Sequence, residues 1–241
     1  MKIAAIIPAR YESTRFPGKP LAAIKGKPMI EHVFNRVKDI EEIDEVIVAT
    51  DDKRIMERVK AFGGTAVMTS KELSSGTDRI AEAAADMDVD IVVNVQGDEP
   101  LLNQEMVKEA IQPFYEDATI VMSTLKKEII DKEDINNPNV VKVVTDKNDN
   151  AIYFSRNPIP YPRNEGAIYY KHIGLYVYNK QFLIEYSQLE QTPLEKSESL
   201  EQLRVLENAY KIRVVETKYN SIGVDVPEDI IKVEKIMNNN L

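Results

Sequence analysis

Residues 9–27, ARYESTRFPGKPLAAIKGK, set five cations (Arg10, Arg15, Lys19, Lys25 and Lys27) against one acid, Glu12. The whole chain of 241 residues carries a net charge of −9, so a locally positive loop points to an anion held there. Gly18 lies between Pro17 and Lys19. A turn at that glycine brings backbone amides and the Lys19 ammonium toward a phosphate, while Arg10 and Arg15 offer planar, multi-donor contacts. Neither GxGxxG nor GxxxxGK[ST] occurs, which leaves a dinucleotide loop and a Walker loop without support. A solvated loop of scattered charges is the competing reading.

Carboxylates come next in VNVQGDEP (93–100), where Asp98 and Glu99 leave an apolar run through Gly97. A carboxylate at a strand end near a phosphate loop suits Mg²⁺, a hard ion that takes oxygen ligands and bridges to substrate phosphates. The alternative is a cap for the next helix. Asp225 in SIGVDVPEDI ends another apolar run, but Asp225 with Glu228 also has capping-box spacing, and spacing alone favours the cap. SSGTDR (74–79) reads as a tight turn offering backbone groups, with Arg79 on the first turn of a helix. The two histidines, His32 and His172, stand too far apart in sequence to suggest a metal site; His32 reads as structural and His172 stays open.

These groups need a frame. Apolar runs at 2–8, 44–50, 90–96 and 118–124 read as buried strands, and amphipathic patterns after Pro28, over 51–64 and over 77–87 read as helices between them. Such alternation predicts an α/β fold with a mostly parallel sheet, whose ligands bind beyond the carboxyl ends of the strands. PAR, TDD and QGDEP all fall at those ends. Further strands are expected at 139–146, 150–156 and 171–179 and in KIRVVET, with helices at about 180–189 and 198–209 and after Pro227. One domain over 1–241 is expected, with an inserted lobe at about 125–180. A pI near 5.0 argues against nucleic-acid binding. The absence of cysteine excludes disulfides and thiolate metal sites. The first apolar run is too short for a signal peptide and nothing is long enough to span a membrane, so the expected location is the cytoplasm, with no membrane partner.

The segments IPARYESTRFPGKPL, SSGTDR, NVQGDEP, NPNVVKVV, YFSR, KHIGLYVY, PLEKSESLEQLRVLE and GVDVPED occur in the order seen in the 3-deoxy-manno-octulosonate cytidylyltransferases, the CMP-KDO synthetases. The chain resembles that family from Ile7 to about Asp229. CMP-sialic acid synthetases share the PAR…PGK idea but usually carry Asn where this chain has Pro20. The resemblance implies a Rossmann-like nucleotidyltransferase (GT-A-like) fold. It also implies Mg²⁺-dependent transfer of CMP from CTP to the anomeric hydroxyl of KDO, with release of pyrophosphate, for lipopolysaccharide or a related glycan.

By resemblance, Arg10 and Lys19 hold the CTP phosphates with Arg15 nearby on the nucleotide, and Ser75 and Gly76 border it. Asp98 and Asp225 become the Mg²⁺ ligands, which reverses the capping reading of Asp225. Arg10, Lys19, Asp98 and Asp225 make up the implied catalytic set. Arg79, Gln96, His172, Tyr176, Glu201 and Gln202 surround the sugar acid, with Arg79 toward its carboxylate. A homodimer is implied as well. The compact segment PYPRNEGAIYYKH (160–172), beside the implied sugar site, leaves room for a modified acceptor such as 8-amino-KDO or another 2-keto sugar acid. A catalytically silent nucleotide-binding module is the remaining alternative, and the joint presence of Asp98, Asp225, Arg10 and Lys19 argues against it.

Overall fold

The computed structural model describes residues 1–12, 16–73 and 75–239. Two compact units make up the chain, Met1–Glu105 with Ser221–Leu241, and Met106–Asn220.

The first unit begins with β1 (Ile3–Ala9), and Ile3 through Ile7 are wholly buried. Burial on both faces is why this strand reads as an unbroken apolar run instead of alternating. A small two-stranded ladder, β2 (Ala23–Ile24) with β3 (Lys27–Pro28), leads into helix α1 (Met29–Lys38). Beyond it come β4 (Glu45–Thr50), α2 (Lys53–Ala61), β5 (Thr65–Met68), α3 (Gly76–Ala84) and β6 (Ile91–Asn94). The four long strands are parallel in the order β6-β1-β4-β5, with Ile6 beside Asn94 and Ile47, and Ala49 beside Val67. All four therefore deliver their carboxyl ends to one edge. Helix α9 (Pro227–Asn239) rejoins this unit, and its Val233 packs with Ile24, Met29 and Val224 in a buried cluster.

Helix α4 (Gln104–Glu116), not expected from the sequence, leads into the second unit and carries Pro113 in its last turn. Then come β7 (Met122–Glu128), a short α5 (Lys132–Asn136), β8 (Lys142–Thr145), β9 (Ala151–Ser155) and β10 (Tyr170–Asn179). Helices α6 (Lys180–Gln188), α7 (Pro193–Glu198) and α8 (Gln202–Glu207) precede β11 (Arg213–Glu216). Here β7, β10, β8 and β9 pair antiparallel in turn, while β11 runs parallel to β7.

Two expectations are corrected. The strand placed at 118–124 lies at 122–128, because Asp117 turns the chain by accepting from the amide and hydroxyl of Thr119. The strand then runs on through Lys126, whose charge is satisfied by Asp149 at 2.8 Å and Thr145 at 3.0 Å. The helix expected at 198–209 is the shorter α8, which starts only at Gln202 because Ser199 adopts φ 52, and α7 ahead of it was not expected from the sequence. Among the described residues no helix is long and apolar enough to cross a membrane.

Candidate active site

In the first unit the basic loop turns at Gly18, which sits at φ 71 and donates its amide to Tyr11 O at 2.8 Å. A Cβ there would be strained by the backbone and would press within 3.2 Å of the Tyr11 ring. Tyr11 is itself braced, with the Arg54 guanidinium 3.3 Å over its ring centroid. Asp52 holds Arg54 at 2.9 and 2.6 Å through its side-chain nitrogens and at 2.8 Å through its amide. This side-chain hydrogen bonding, ahead of the backbone bonds that act with it, draws the Asp52 carboxyl down to about 2. Sequence reading misses the brace; its one signal is an acid capping α2 two residues before an arginine.

Gly18 hands over to Lys19, whose ammonium donates to Asp98 Oδ2 at 2.6 Å and to Val224 O at 3.0 Å. Val224 in turn donates its amide to Asp98 O at 2.9 Å. Segments 79 and 205 residues away from Lys19 in sequence thus meet at one cation. Beneath them Phe16, Ala22, Leu101 and Ile222 pack on the cluster of Ile24, Met29, Val224 and Val233, which fixes all three segments. Gly97 is required by its neighbour: a Cβ would stand 2.8 Å from Pro8 O, so only glycine lets β6 end so close to β1.

Asp225 comes directly after Val224. The amides of Asp225 and Val226 both donate to Asp229 Oδ2, at 3.0 and 3.2 Å. The box-type capping expected of Asp225 with Glu228 is therefore supplied by Asp229. Its carboxyl is held at about 2, chiefly by the Lys232 hydrogen bond and then by the two amides. Glu99 is buried, which pushes its carboxyl up to about 7, against the hydrogen bond from Ser221.

Ser75 opens α3 with a reciprocal capping box, its Oγ accepting from Asp78 N at 3.0 Å and Asp78 Oδ2 from Ser75 N at 3.1 Å. Gly76 faces the Pro8 ring, so this helix start lies against the end of β1 and beside Arg10. Arg10 donates to Leu73 O at 2.9 Å. Arg79 is fully buried. It donates to Asp51 Oδ2 at 2.8 Å, to Ser70 O at 3.3 Å and to the Thr69 hydroxyl. Its Nε has no hydrogen-bond partner among the described residues. Burial pulls Arg79 below its ordinary value, Asp51 opposes this, and the neighbouring Arg10 adds to it. Gln96 donates to Asn94 Oδ1 at 3.3 Å. Arg15 lies outside the described residues.

In the second unit the rings of His172 and Tyr176 on β10 lie 5.4 Å apart and tilted by 41°, with Phe154 edge-on to His172 at 5.0 Å. Thr124 Oγ1 lies 3.0 Å from His172 Nε2, 3.0 Å from Ile173 O and 2.9 Å from Leu175 O. The Thr124 hydroxyl has one proton to give among these three neighbours, and the two carbonyls can only accept. Burial pushes His172 down to about 3 and pushes the Tyr176 phenol up. Glu201 lines a cavity of about 380 Å³ with Gln191, Glu195, Lys196, Ser199 and Leu200. The buried Gln202 Nε2 has no partner among the described residues.

The sequence matches the family described as Cytidylyltransferase over residues 4–212. The chain belongs to that family. Within it, 3-deoxy-manno-octulosonate cytidylyltransferase of Geobacter metallireducens is 55% identical over 245 residues, covering 97% of this chain and 96% of the relative. That of Fusobacterium nucleatum is 56% identical over 235 residues, again with 97% and 96% covered. A solved structure of CMP:2-keto-3-deoxy-manno-octonic acid synthetase complexed with CTP matches with a TM-score of 0.97 at 44% identity, over 100% of both chains. The resemblance carried by the motifs and the nucleotidyltransferase fold it implied are both met.

Membership of this cytidylyltransferase family suggests a divalent metal. The residues present fit one. The Lys19 ammonium already sits among the oxygens of Asp98 and Val224, with a second carboxylate one residue on, and all these donors are hard oxygens. No group of three or more His, Cys, Asp or Glu able to hold an ion occurs among the described residues.

Proposed function

We propose that this cytidylyltransferase transfers CMP from CTP to the anomeric hydroxyl of 3-deoxy-D-manno-octulosonate, releasing pyrophosphate. The observation that carries the reading is the meeting of Lys19, Asp98 and the Val224–Asp225 segment at the strand edge, within a chain so similar to the CTP-complexed synthetase. The sugar oxygen bonds to the α-phosphorus as the bridge to the β-phosphate breaks; the electron pair leaves with pyrophosphate and the hydroxyl proton passes to water. Arg10 and Lys19 hold the triphosphate and offset the charge that grows on the leaving group. The start of α3, with Ser75 and Gly76, borders the nucleotide.

Asp98 and Asp225 would hold the divalent ion, Mg²⁺ in this reading, through their hard carboxylate oxygens. When bound it lowers the hydroxyl pKa and neutralises charge at the α-phosphate. Lys19, now paired with Asp98, turns its ammonium to phosphate oxygens when CTP arrives. His172, Tyr176, Glu201 and Gln202 contact the sugar acid, and Gln96 belongs to the same set. Arg79, with its terminal nitrogens engaged by Asp51, Thr69 and Ser70, serves this reading by fixing the loop that Arg10 grips. A homodimer, a cytoplasmic location and a place in lipopolysaccharide synthesis complete the proposal, supported by the family resemblance.

Replacing Asp98 tests it. Asp98→Asn is expected to bind CTP but to lose turnover by about 100-fold or more, the scale of removing a transition-state charge stabiliser. Turnover close to that of the parent would remove the metal role from Asp98.

A further inference from the structure

NPNVVKVV, YFSR and the PLEKSES stretch ahead of Glu201 contain none of the proposed substrate contacts, yet all three converge on one hydrogen-bonded network in the second unit. Lys142 is fully buried, and its ammonium donates to Asn137 O at 2.9 Å, Val140 O at 2.6 Å and Arg156 O at 2.6 Å. Three carbonyls thus use all three of its donors. Glu198, the last residue of α7, closes the other side: Oε1 accepts from Ser155 Oγ at 2.6 Å and Oε2 from Arg156 N at 2.9 Å. Arg156 answers with its guanidinium, Nε to Glu198 O at 2.6 Å, NH2 to Ser199 O at 3.3 Å and NH1 to Pro138 O at 3.0 Å. The carbonyls at the end of α7 are therefore bound by a side chain from the end of β9.

Glu198 is held at the point where the chain changes direction. Ser199 stands in the left-handed region at φ 52, turning the chain from α7 into α8. Glu201 lies two residues on, its carbonyl accepting from Tyr186 OH at 2.7 Å, and Gln202 with its unpartnered Nε2 opens α8. Buried ionic groups are a poor means to stability, since apolar side chains of equal volume often serve as well. What a network of directional bonds adds is a fixed position for the main chain at Ser199.

We propose that Glu198, Arg156 and Lys142 are positioning residues that fix the α7–α8 turn and so aim Glu201 and Gln202 at the acceptor sugar acid. The proposal rests on reading those two residues as sugar contacts. Steady-state kinetics of the full chain with CTP, KDO and Mg²⁺ tests it. Glu198→Ala and Arg156→Met are expected to raise KM for the sugar by about 10-fold while KM for CTP moves by less than about 2-fold. Glu198→Gln keeps an acceptor for Ser155 and is expected to restore part of the loss. Should Glu198→Ala fail to fold, Glu198→Gln and Arg156→Lys carry the same comparison. Equal shifts in both KM values, or none, overturn the proposal. If Glu201→Ala and Gln202→Ala leave the sugar KM unchanged, the sugar-contact reading itself falls and takes the proposal with it. If they raise it and the Glu198 and Arg156 variants do not, only the positioning claim falls.

Discussion

Gly97 shows how a single missing side chain sets the site. Its neighbour Asp98 reaches Lys19 only because β6 ends against β1, and that approach leaves 2.8 Å between a would-be Cβ and Pro8 O. The obstructing atom is backbone and cannot swing aside, so Gly97→Ala is expected to cost about 1–3 kcal/mol, the usual range for overpacking. The same variant should lower turnover through the displaced Asp98. Urea unfolding checks the first effect as a lower midpoint at unchanged slope. Gly174→Ala is the control, because a Cβ there meets nothing within 4 Å; equal stability of the two variants would contradict the account.

Among elements, α9 follows directly on the segment that carries Asp225, the proposed metal ligand. The capping work falls to Asp229, which accepts from two amides and from Lys232 Nζ at 2.7 Å. Asp229→Ala is expected to destabilise by about 1 kcal/mol, a typical loss for a cap. The sign with pH comes from its carboxyl sitting at about 2, below the roughly 3.9 of an unfolded aspartate. Its contribution is full above that unfolded value and fades as pH falls toward 2. Thermal melts of parent and variant at pH 7 and pH 3 should therefore differ more at pH 7; a gap that widens in acid would contradict this.

Elements also mark how far sequence reaches. β1, β4 and β6 are contiguous apolar runs and announce themselves, as does the chemistry at their ends. β7 is harder to place, because Lys126 looks like a strand terminator until its partner Asp149 is known, and Pro113 hides α4. The cap passes from Glu228 to Asp229, a one-residue matter of helix phase that spacing does not resolve. Arg79 is expected as a sugar contact by resemblance; its tie to Asp51, 28 residues away, is set by the fold and leaves no local pattern. Lys142 reads as an ordinary strand lysine, and only the fold shows the three carbonyls around it.

For the molecule as a whole, His172, a proposed sugar contact, also bears on stability. Burial holds it near 3, whereas an unfolded histidine titrates near 6.5. The unfolded chain thus binds a proton that the folded chain refuses between these values, so stability is full above about pH 6.5 and is lost as pH falls toward 3. At pH 5 the loss from this one group reaches up to about 2 kcal/mol. His172→Asn should flatten that stretch of the stability curve; an unchanged slope between pH 7 and 5 would show that His172 is not the group responsible.

The central claim, that this whole fold is assembled to join CMP to a KDO-type sugar, is tested most directly by pyrophosphate release in the presence of Mg²⁺. Each of CTP, UTP, ATP and GTP is paired with KDO, 8-amino-KDO and sialic acid, with and without EDTA. The account predicts release with CTP and KDO alone, abolished by EDTA and restored by excess Mg²⁺. Release with CTP and 8-amino-KDO instead would contradict the acceptor while keeping the CTP and metal reading, and folded protein that releases nothing with any pair would contradict the account outright.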